Sequence, residues 1–283
     1  LTDMNRMSDS AAAKEALQGK LEILASRVSG VIVDVGADAR VAAANVQADK
    51  YPTCPTAKNI VAGAIKDIIA RYRALNPLEY VVIVGSDNVI PFFRYPDNAL
   101  LANEKNYAPP VRDNTASQAS LKLGYVLSQD AYGSRVDISL KANTFPIPNL
   151  AVGRLVETAA DVSTMLDAYL GTSGGVVPTP SSALVTGYDF LADAASAVQA
   201  ELEAGVGQPA DTLITPRDIS PSDPSAWTAI TLTNQLLGSR HDLIFLAGHF
   251  SANSALAADY TTRLLTTDVV TSSVNLTNAL IFS

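Results

Sequence analysis

The run Tyr80–Gly85 (YVVIVG) is almost wholly apolar and stops at a glycine, and it narrows the possible folds more than any other stretch of the chain. A strand without polar alternation is one covered on both faces, as parallel strands are. Upstream of it, after Pro55, the residues Ile60, Val61, Ile65, Ile68, Ile69 and Tyr72 fall on one helical face, and Asn76-Pro77 closes that helix. Earlier still, Gly30–Gly36 (GVIVDVG) reads as a short buried strand. Strand, helix, strand is a βαβ unit, and it predicts an α/β fold. The opening segment Ser8–Val28 is helical, with Leu17, Leu21, Leu24 and Val28 on one stripe.

The alternation lapses from Gly85 to Tyr132, where Asn, Asp, Pro and Ser dominate, and a connection of that length marks an elaborated loop. Within the 86–146 insertion, Tyr125–Ser128 and Val136–Lys141 are expected to pair as a small hairpin. Ile147–Leu155 reads as a strand, and Thr158 with Asp161 opens a helix that should bury Val162, Met165, Leu166 and Tyr169. A Gly/Pro/Ser/Thr stretch over 171–182 then separates an N-terminal unit, 1–172, from a C-terminal one, 173–283.

The second unit repeats the pattern. Ser182–Gly187 is a strand, followed by a helix carrying Leu191, Ala195, Val198 and Leu202. Thr212–Thr215 is a strand and Ser225–Leu237 a helix. Asp242–Phe250 is another apolar strand, and Asn278–Ser283 the last. The expectation is two consecutive α/β/α layers with mainly parallel sheets.

Composition excludes several function classes. With 48% apolar and 17% charged residues the chain is too apolar for disorder. Twenty basic residues against 28 acidic ones, with no basic stripe, argue against nucleic acid as the primary partner. No segment approaches the roughly 20 apolar residues that span a bilayer. One cysteine, Cys54, permits no internal disulfide, and two histidines leave a His-based metal cage short of ligands. The phosphate loops G-x-x-x-x-G-K-[ST] and G-x-G-x-x-G are both missing. No signal peptide opens the chain at Leu1, and the apolar run Ala279–Phe282 stops at Ser283, so the natural polypeptide is expected to extend beyond both ends.

Ligands of open parallel sheets bind beyond the carboxyl ends of strands. Three such ends carry a glycine and then polar groups: Gly85-Ser86-Asp87-Asn88, Gly187-Tyr188-Asp189 and Ala247-Gly248-His249. His249 is the foremost candidate, an imidazole at a strand tip suited to proton transfer, with Gly248 leaving room for a substrate. The same residue read structurally is a histidine hydrogen-bonded at a strand end. Asp189 is either a helix N-cap or the acid that orients the histidine. His241 is expected in a surface loop, Asp87 and Asp97 in turns, and Cys54, ahead of a helix, as a partly buried bystander.

The blocks Tyr80–Asp97 (YVVIVGSDNVIPFFRYPD), Tyr125–Gly133 (YVLSQDAYG), Ile147–Val162 (IPNLAVGRLVETAADV) and Phe245–Asn253 (FLAGHFSAN) together resemble the gingipain-like cysteine peptidases of the caspase-like clan. The resemblance covers roughly residues 30–283. It implies two caspase-like α/β/α subdomains, the second holding the catalytic machinery, and a protein or peptide substrate. His249 would be the general base and Asp189, on a loose alignment, the third catalytic acid. The Phe250 amide would form part of the oxyanion hole. The nucleophilic cysteine would lie a few residues past Ser283, so this chain by itself would be inactive and a following segment of the same protein would supply the thiol. The family has Gly where Phe250 stands, which narrows the approach to the histidine.

The resemblance demands no cofactor. It allows structural calcium, for which the Asp87–Asn88 and Asp97–Asn98 loops offer oxygens, and favours a secreted or cell-surface location. Against the peptidase reading stands a non-catalytic caspase-like module used for binding or assembly. A flavodoxin-like ligand-binding domain is a third reading.

Overall fold

A computed structural model describes residues 1–101, 103–107, 113–140, 143–251 and 253–283. Lys141, the expected end of one strand, and Ala252, inside the FLAGHFSAN block, lie outside the described residues. The chain divides into two compact units, Leu1–Gly171 and Thr172–Ser283.

In the first unit, α1 (Ala11–Arg27) starts at Ser10, whose hydroxyl accepts the Ala13 amide, and it buries Leu17 and Leu21. A helix absent from the sequence reading, α2 (Ala39–Lys50), is capped by Asp38. Its alanine-rich face gives a weak periodic signal, although Val41, Ala44 and Ala48 are buried. Helix α3 (Pro55–Leu75) has proline in its first turn, where the missing amide is harmless, and buries Val61, Ile65, Ile68 and Ile69. Ile60, expected on that face, is 57% exposed. Strand β1 (Tyr80–Val84) follows, and β6 (Ala151–Leu155) pairs with it in parallel, from Tyr80 opposite Ala151 to Val84 opposite Leu155.

Between them the insertion folds into β2 (Phe93–Pro96), α4 (Ala116–Lys122), β3 (Tyr125–Ser128), α5 (Asp130–Gly133), β4 (Ser134–Leu140) and β5 (Asn143–Pro148). The expected pairing of Tyr125–Ser128 with Val136–Lys141 does not form. β3 pairs with β2 and β4 with β5, both antiparallel, because α5 sits between β3 and β4 where a hairpin turn would have to be. The expected single strand Ile147–Leu155 is likewise two, the end of β5 and then β6. They are separated at Asn149, whose amide turns aside to the Gly133 carbonyl.

The expected strand Gly30–Gly36 is reduced to an extended segment. Leu1-Thr2 lies beside it, and among the described residues it makes a single parallel bridge, Thr2 to Asp34. Asp34 then accepts the Gly36 amide and opens a 3-10 turn, Val35–Ala37, which ends the extended stretch. Helix α6 (Ala159–Leu170) begins with the reciprocal Thr158–Asp161 cap anticipated from sequence. It buries Val162 and Leu166, but Met165 is 45% exposed and Tyr169 stands at the surface. Each Leu, Ile or Val fully removed from water in this core contributes about 1.5–3 kcal/mol.

The second unit contains β7 (Ala183–Gly187), α7 (Ala192–Val206), β8 (Asp211–Ile214), α8 (Ala229–Gly238) and β9 (Leu243–Phe245). After these come β10 (Phe250–Ser251), β11 (Ser254–Leu256), β12 (Arg263–Leu265), α9 (Thr266–Thr271) and β13 (Leu280–Phe282). Four strands form one parallel sheet in the order β13-β9-β7-β8. The expected strand Asp242–Phe250 divides, β9 ending at Phe245 and β10 joining a separate antiparallel sheet with β11 and β12. On α7 only Ala195 of the expected stripe is fully buried. The molecule is thus mixed α/β, with parallel pairing at the centre of each unit. Among the described residues no helix is long and apolar enough to cross a membrane.

Candidate functional site

The sheet order of the second unit fixes where a ligand would meet it. From β7 the chain passes through α7 to β8 on one side, then returns through α8 across β7 to β9 on the other. Connections leaving adjacent strands in opposite directions open a crevice at their carboxyl ends. That switch point lies between β7 and β9. Tyr188-Asp189-Phe190 follows directly on β7, and Leu246-Ala247-Gly248-His249 joins β9 to β10.

Tyr188 organises the crevice. Its ring is buried, while its hydroxyl donates to the Leu256 carbonyl and accepts the His249 amide at 3.3 Å. The Leu256 amide in turn donates to the His249 carbonyl at 2.9 Å. The phenol is therefore inserted between His249 and Leu256 at the start of the β10–β11 ladder, replacing one rung. Close approach of this ring requires Gly248, since a Cβ there would stand 2.9 Å from Tyr188 Cε1. The space that glycine was expected to leave for a substrate is filled by tyrosine. On the other side of the crevice Gly187 presses against Ala195, where an added Cβ would come within 2.5 Å, and the Trp227 indole donates to the Gly187 carbonyl at 3.0 Å.

His249 is exposed, and its ring sits among three aromatic rings. Tyr188 lies edge-on at 5.2 Å between centroids, Phe190 tilted at 5.8 Å and Tyr260 at 6.2 Å. Among the described residues the imidazole nitrogens make no hydrogen bond. Its neighbours come from the loop after β7 and from the turn before β12, on the side of β9 away from β13.

Asp189 belongs to the same cluster but does not reach the imidazole. Its Oδ1 accepts the Tyr260 hydroxyl at 3.1 Å, so tyrosine stands where the expected histidine contact would be. Nor does its side chain cap α7, whose N-cap is Leu191 and makes no side-chain cap bond. Burial, followed by the Asp189 hydrogen bond, pushes the Tyr260 hydroxyl above its ordinary value, and burial does the same to Tyr188. Both phenols remain donors at neutral pH.

Phe250 is half-exposed at the start of β10, an edge strand. Because His249 and Leu256 form the hydrogen-bonding pair, the alternation of an antiparallel ladder turns the Phe250 amide outward, away from β11. The arrangement offers a histidine that can take up or release a proton and, beside it, an outward backbone N–H that can bind an oxyanion. Ser283 follows β13, whose Phe282 carbonyl accepts the Leu246 amide at 2.8 Å, so the terminal strand leaves the sheet at the edge where β9 gives way to His249.

The other sequence candidates fall elsewhere. His241 is buried, not in a surface loop: 2% exposed, with Nε2 2.9 Å from Asp211 Oδ2, at the amino ends of the strands and away from the crevice. Asp87 sits in the turn after β1, as expected, and there it is half of a buried ion pair with Arg94, at 2.7 and 2.5 Å. Burial alone would raise the Asp87 carboxyl, yet the Arg94 bonds and charge, with Ser117 and the Phe92 amide, hold it below the usual carboxylate range. Asp97 does sit in a turn, accepting the Ala99 and Glu104 amides. Cys54 is exposed, not partly buried, at the N-cap of α3. Among the described residues no group of three or more His, Cys, Asp or Glu side chains is placed to hold a metal ion.

Tyr188 and Tyr260 are the residues that sequence reading underrated. Tyr188 carried a signal, an aromatic directly after a wholly buried strand and its glycine. Tyr260 carried none, since its position depends on a left-handed turn residue (φ 53°) far along the chain. Comparison with protein-family models, with curated proteins and with solved structures finds no match in any of the three.

Proposed function

We propose that the chain is the larger part of a gingipain-like cysteine endopeptidase, in which His249 serves a thiol supplied by polypeptide that follows β13. The observation that carries this reading is the exposed His249 imidazole past the carboxyl end of β9, next to the outward Phe250 amide, with β13 paired to β9 on its other side. His249 would take the thiol proton and later return one to the leaving amine, with the Phe250 N–H holding the tetrahedral oxyanion. Asp189 would act through Tyr260, as a positioning group. The parallel order of the four strands is compatible with a caspase-like subdomain.

The test is peptide hydrolysis by the complete gene product, with His249→Ala and His249→Gln compared against the unaltered protein. The reading expects both variants to lose at least about 100-fold in kcat/KM with folding intact, the usual size of a general-base contribution. Unchanged hydrolysis in either variant removes His249 from the mechanism.

A second reading, a non-catalytic binding or assembly module of the same fold, is favoured by one observation: Tyr260 holds the acid that would otherwise orient the imidazole. It expects no thiol-dependent hydrolysis at all and unchanged partner binding in His249→Ala.

A further inference from the structure

In the first unit, the sheet contains a lane bounded on one side by Tyr80–Val82 and on the other by Val31–Val33. Leu1 and Thr2 occupy one end of it. The Leu1 nitrogen donates to the Val82 carbonyl at 2.6 Å, and the Val84 amide donates to the Leu1 carbonyl at 2.8 Å. On the opposite side the Thr2 amide donates to the Val33 carbonyl at 3.1 Å, and the Val35 amide to the Thr2 carbonyl at 2.9 Å. Both patterns are those of parallel strands. Leu1 and Thr2 are thus two residues of a strand inserted between β1 and the extended segment 31–34.

The lane continues past Leu1. Alternation along β1 sends the Gly85 amide to Leu155 of β6 and the even-numbered residues to the Leu1 side, so the Val82 N–H and the Tyr80 carbonyl point into the lane. Alternation along the facing segment does the same for the Val33 N–H and the Val31 carbonyl. The walls and floor are apolar: Leu24 and Ala25 of α1 with Val28 at its end, Ile69 and Tyr72 of α3, and Leu78. The cavity has an empty volume of about 870 Å³, part of it open to solvent. Two parallel rims of backbone donors and acceptors over an apolar floor form a strand-addition site.

We propose that this lane is a strand position, filled by the three residues immediately upstream of Leu1 whenever the polypeptide extends there, running parallel to β1 between it and residues 30–33. The first residue before Leu1 bonds the Val31 carbonyl and the Val33 amide. The second bonds the Tyr80 carbonyl and the Val82 amide and lies level with Val81, whose side chain is buried. The third reaches the level of Tyr80. The occupant is apolar because the floor is.

The test adds three residues ahead of Leu1, Val-Ile-Val in one protein and Asp-Pro-Asp in another, and follows amide hydrogen exchange by NMR. Proline at the second position removes the N–H that would meet Tyr80 and cannot sit inside a sheet. The Ile83 amide, which faces β6, serves as the internal reference for folding. The expected result is exchange at least about tenfold slower at Val82 and Val33 with Val-Ile-Val than with Asp-Pro-Asp, at constant Ile83 protection. Equal exchange at Val82 and Val33 in the two proteins overturns the proposal. So does equal protection of those amides by free acetyl-Val-Ile-Val added to the unextended chain, which would make the lane a receptor for separate peptides.

Discussion

At the carboxyl end of β1, Gly85-Ser86-Asp87 leads into a closed ion pair, whereas at the ends of β7 and β9 the corresponding Gly-Tyr-Asp and Gly-His turns lead into an open crevice. In the first unit every oxygen of Asp87 is used, by Arg94, Ser117 and the Phe92 amide, and Arg94 is 1% exposed. In the second, the imidazole has aromatic contacts but no hydrogen-bond partner among the described residues, and Asp189 faces a phenol at the surface. The glycines differ in use as well. Gly85 has φ +114°, a conformation that only glycine adopts easily, and a Cβ there would meet Val89 at 2.6 Å. Gly187 and Gly248 instead admit Ala195 and Tyr188. Similar turn sequences thus give one saturated structural cluster and one site with proton-transfer capacity left over.

The largest expected effect lies in the saturated cluster. Arg94→Ala leaves a buried carboxylate without its partner and should destabilise the first unit by about 3–5 kcal/mol, read as faster exchange of the Ile83 amide. A loss below about 1 kcal/mol would mean that Asp87 takes up a proton readily and the pair is dispensable. The Asp87 carboxyl, held below its unfolded value, adds stability that is present above pH about 4 and is lost as pH falls through its folded value. Acid titration of the unfolding free energy checks this, and Asp87→Asn should flatten the acid limb.

A protein whose first residue is Leu1 would show a second pH dependence in its first unit. Burial lowers the Leu1 ammonium to about 6 from an ordinary 8.0. An amine with a lowered folded value opposes folding while it is charged, so stability should rise from pH 6 to pH 8 by about 2–3 kcal/mol in a chain beginning at Leu1. Acetylating that amine should remove the slope.

Smaller effects are expected at the crevice. Tyr188→Phe leaves the His249 amide and the Leu256 carbonyl without the inserted hydroxyl, a loss of about 1–2 kcal/mol measurable by urea unfolding of the second unit. Tyr260→Phe should change stability by no more than about 0.5 kcal/mol, as for other surface substitutions. An effect of Tyr260→Phe larger than that of Tyr188→Phe would reverse the order of importance assigned to the two phenols.

The apolar runs made the strands legible: Tyr80–Val84 and Ala183–Gly187 emerge almost as the hydrophobic pattern delimits them. Helix starts were legible where the signal is explicit, at Pro55 and at Thr158, whereas the first helix, read from Ser8, starts after Ser10. Pairing partners were not, because strands as short as β2 and β3 carry no signal for which neighbour they choose. The strand 30–36 failed for a different reason: its apolar residues line a lane rather than join a ladder. At the site, His249 and Asp189 could be singled out as strand-end polar groups. That tyrosine would separate them depended on Tyr260, 71 residues further along the chain from Asp189. His241 misled because its buried setting is created by Asp211 from another strand.

The claim that the exposed imidazole serves a thiol beyond β13 is tested most directly by alkylation of the complete gene product at pH 6.5. A Cys54→Ser background removes the one exposed thiol already present. The account predicts rapid iodoacetamide labelling of a cysteine downstream of Ser283, slowed at least about tenfold by His249→Ala as the thiol returns to an ordinary value near 8.5. Labelling at the same rate with and without His249, or no labelled cysteine there, would contradict it.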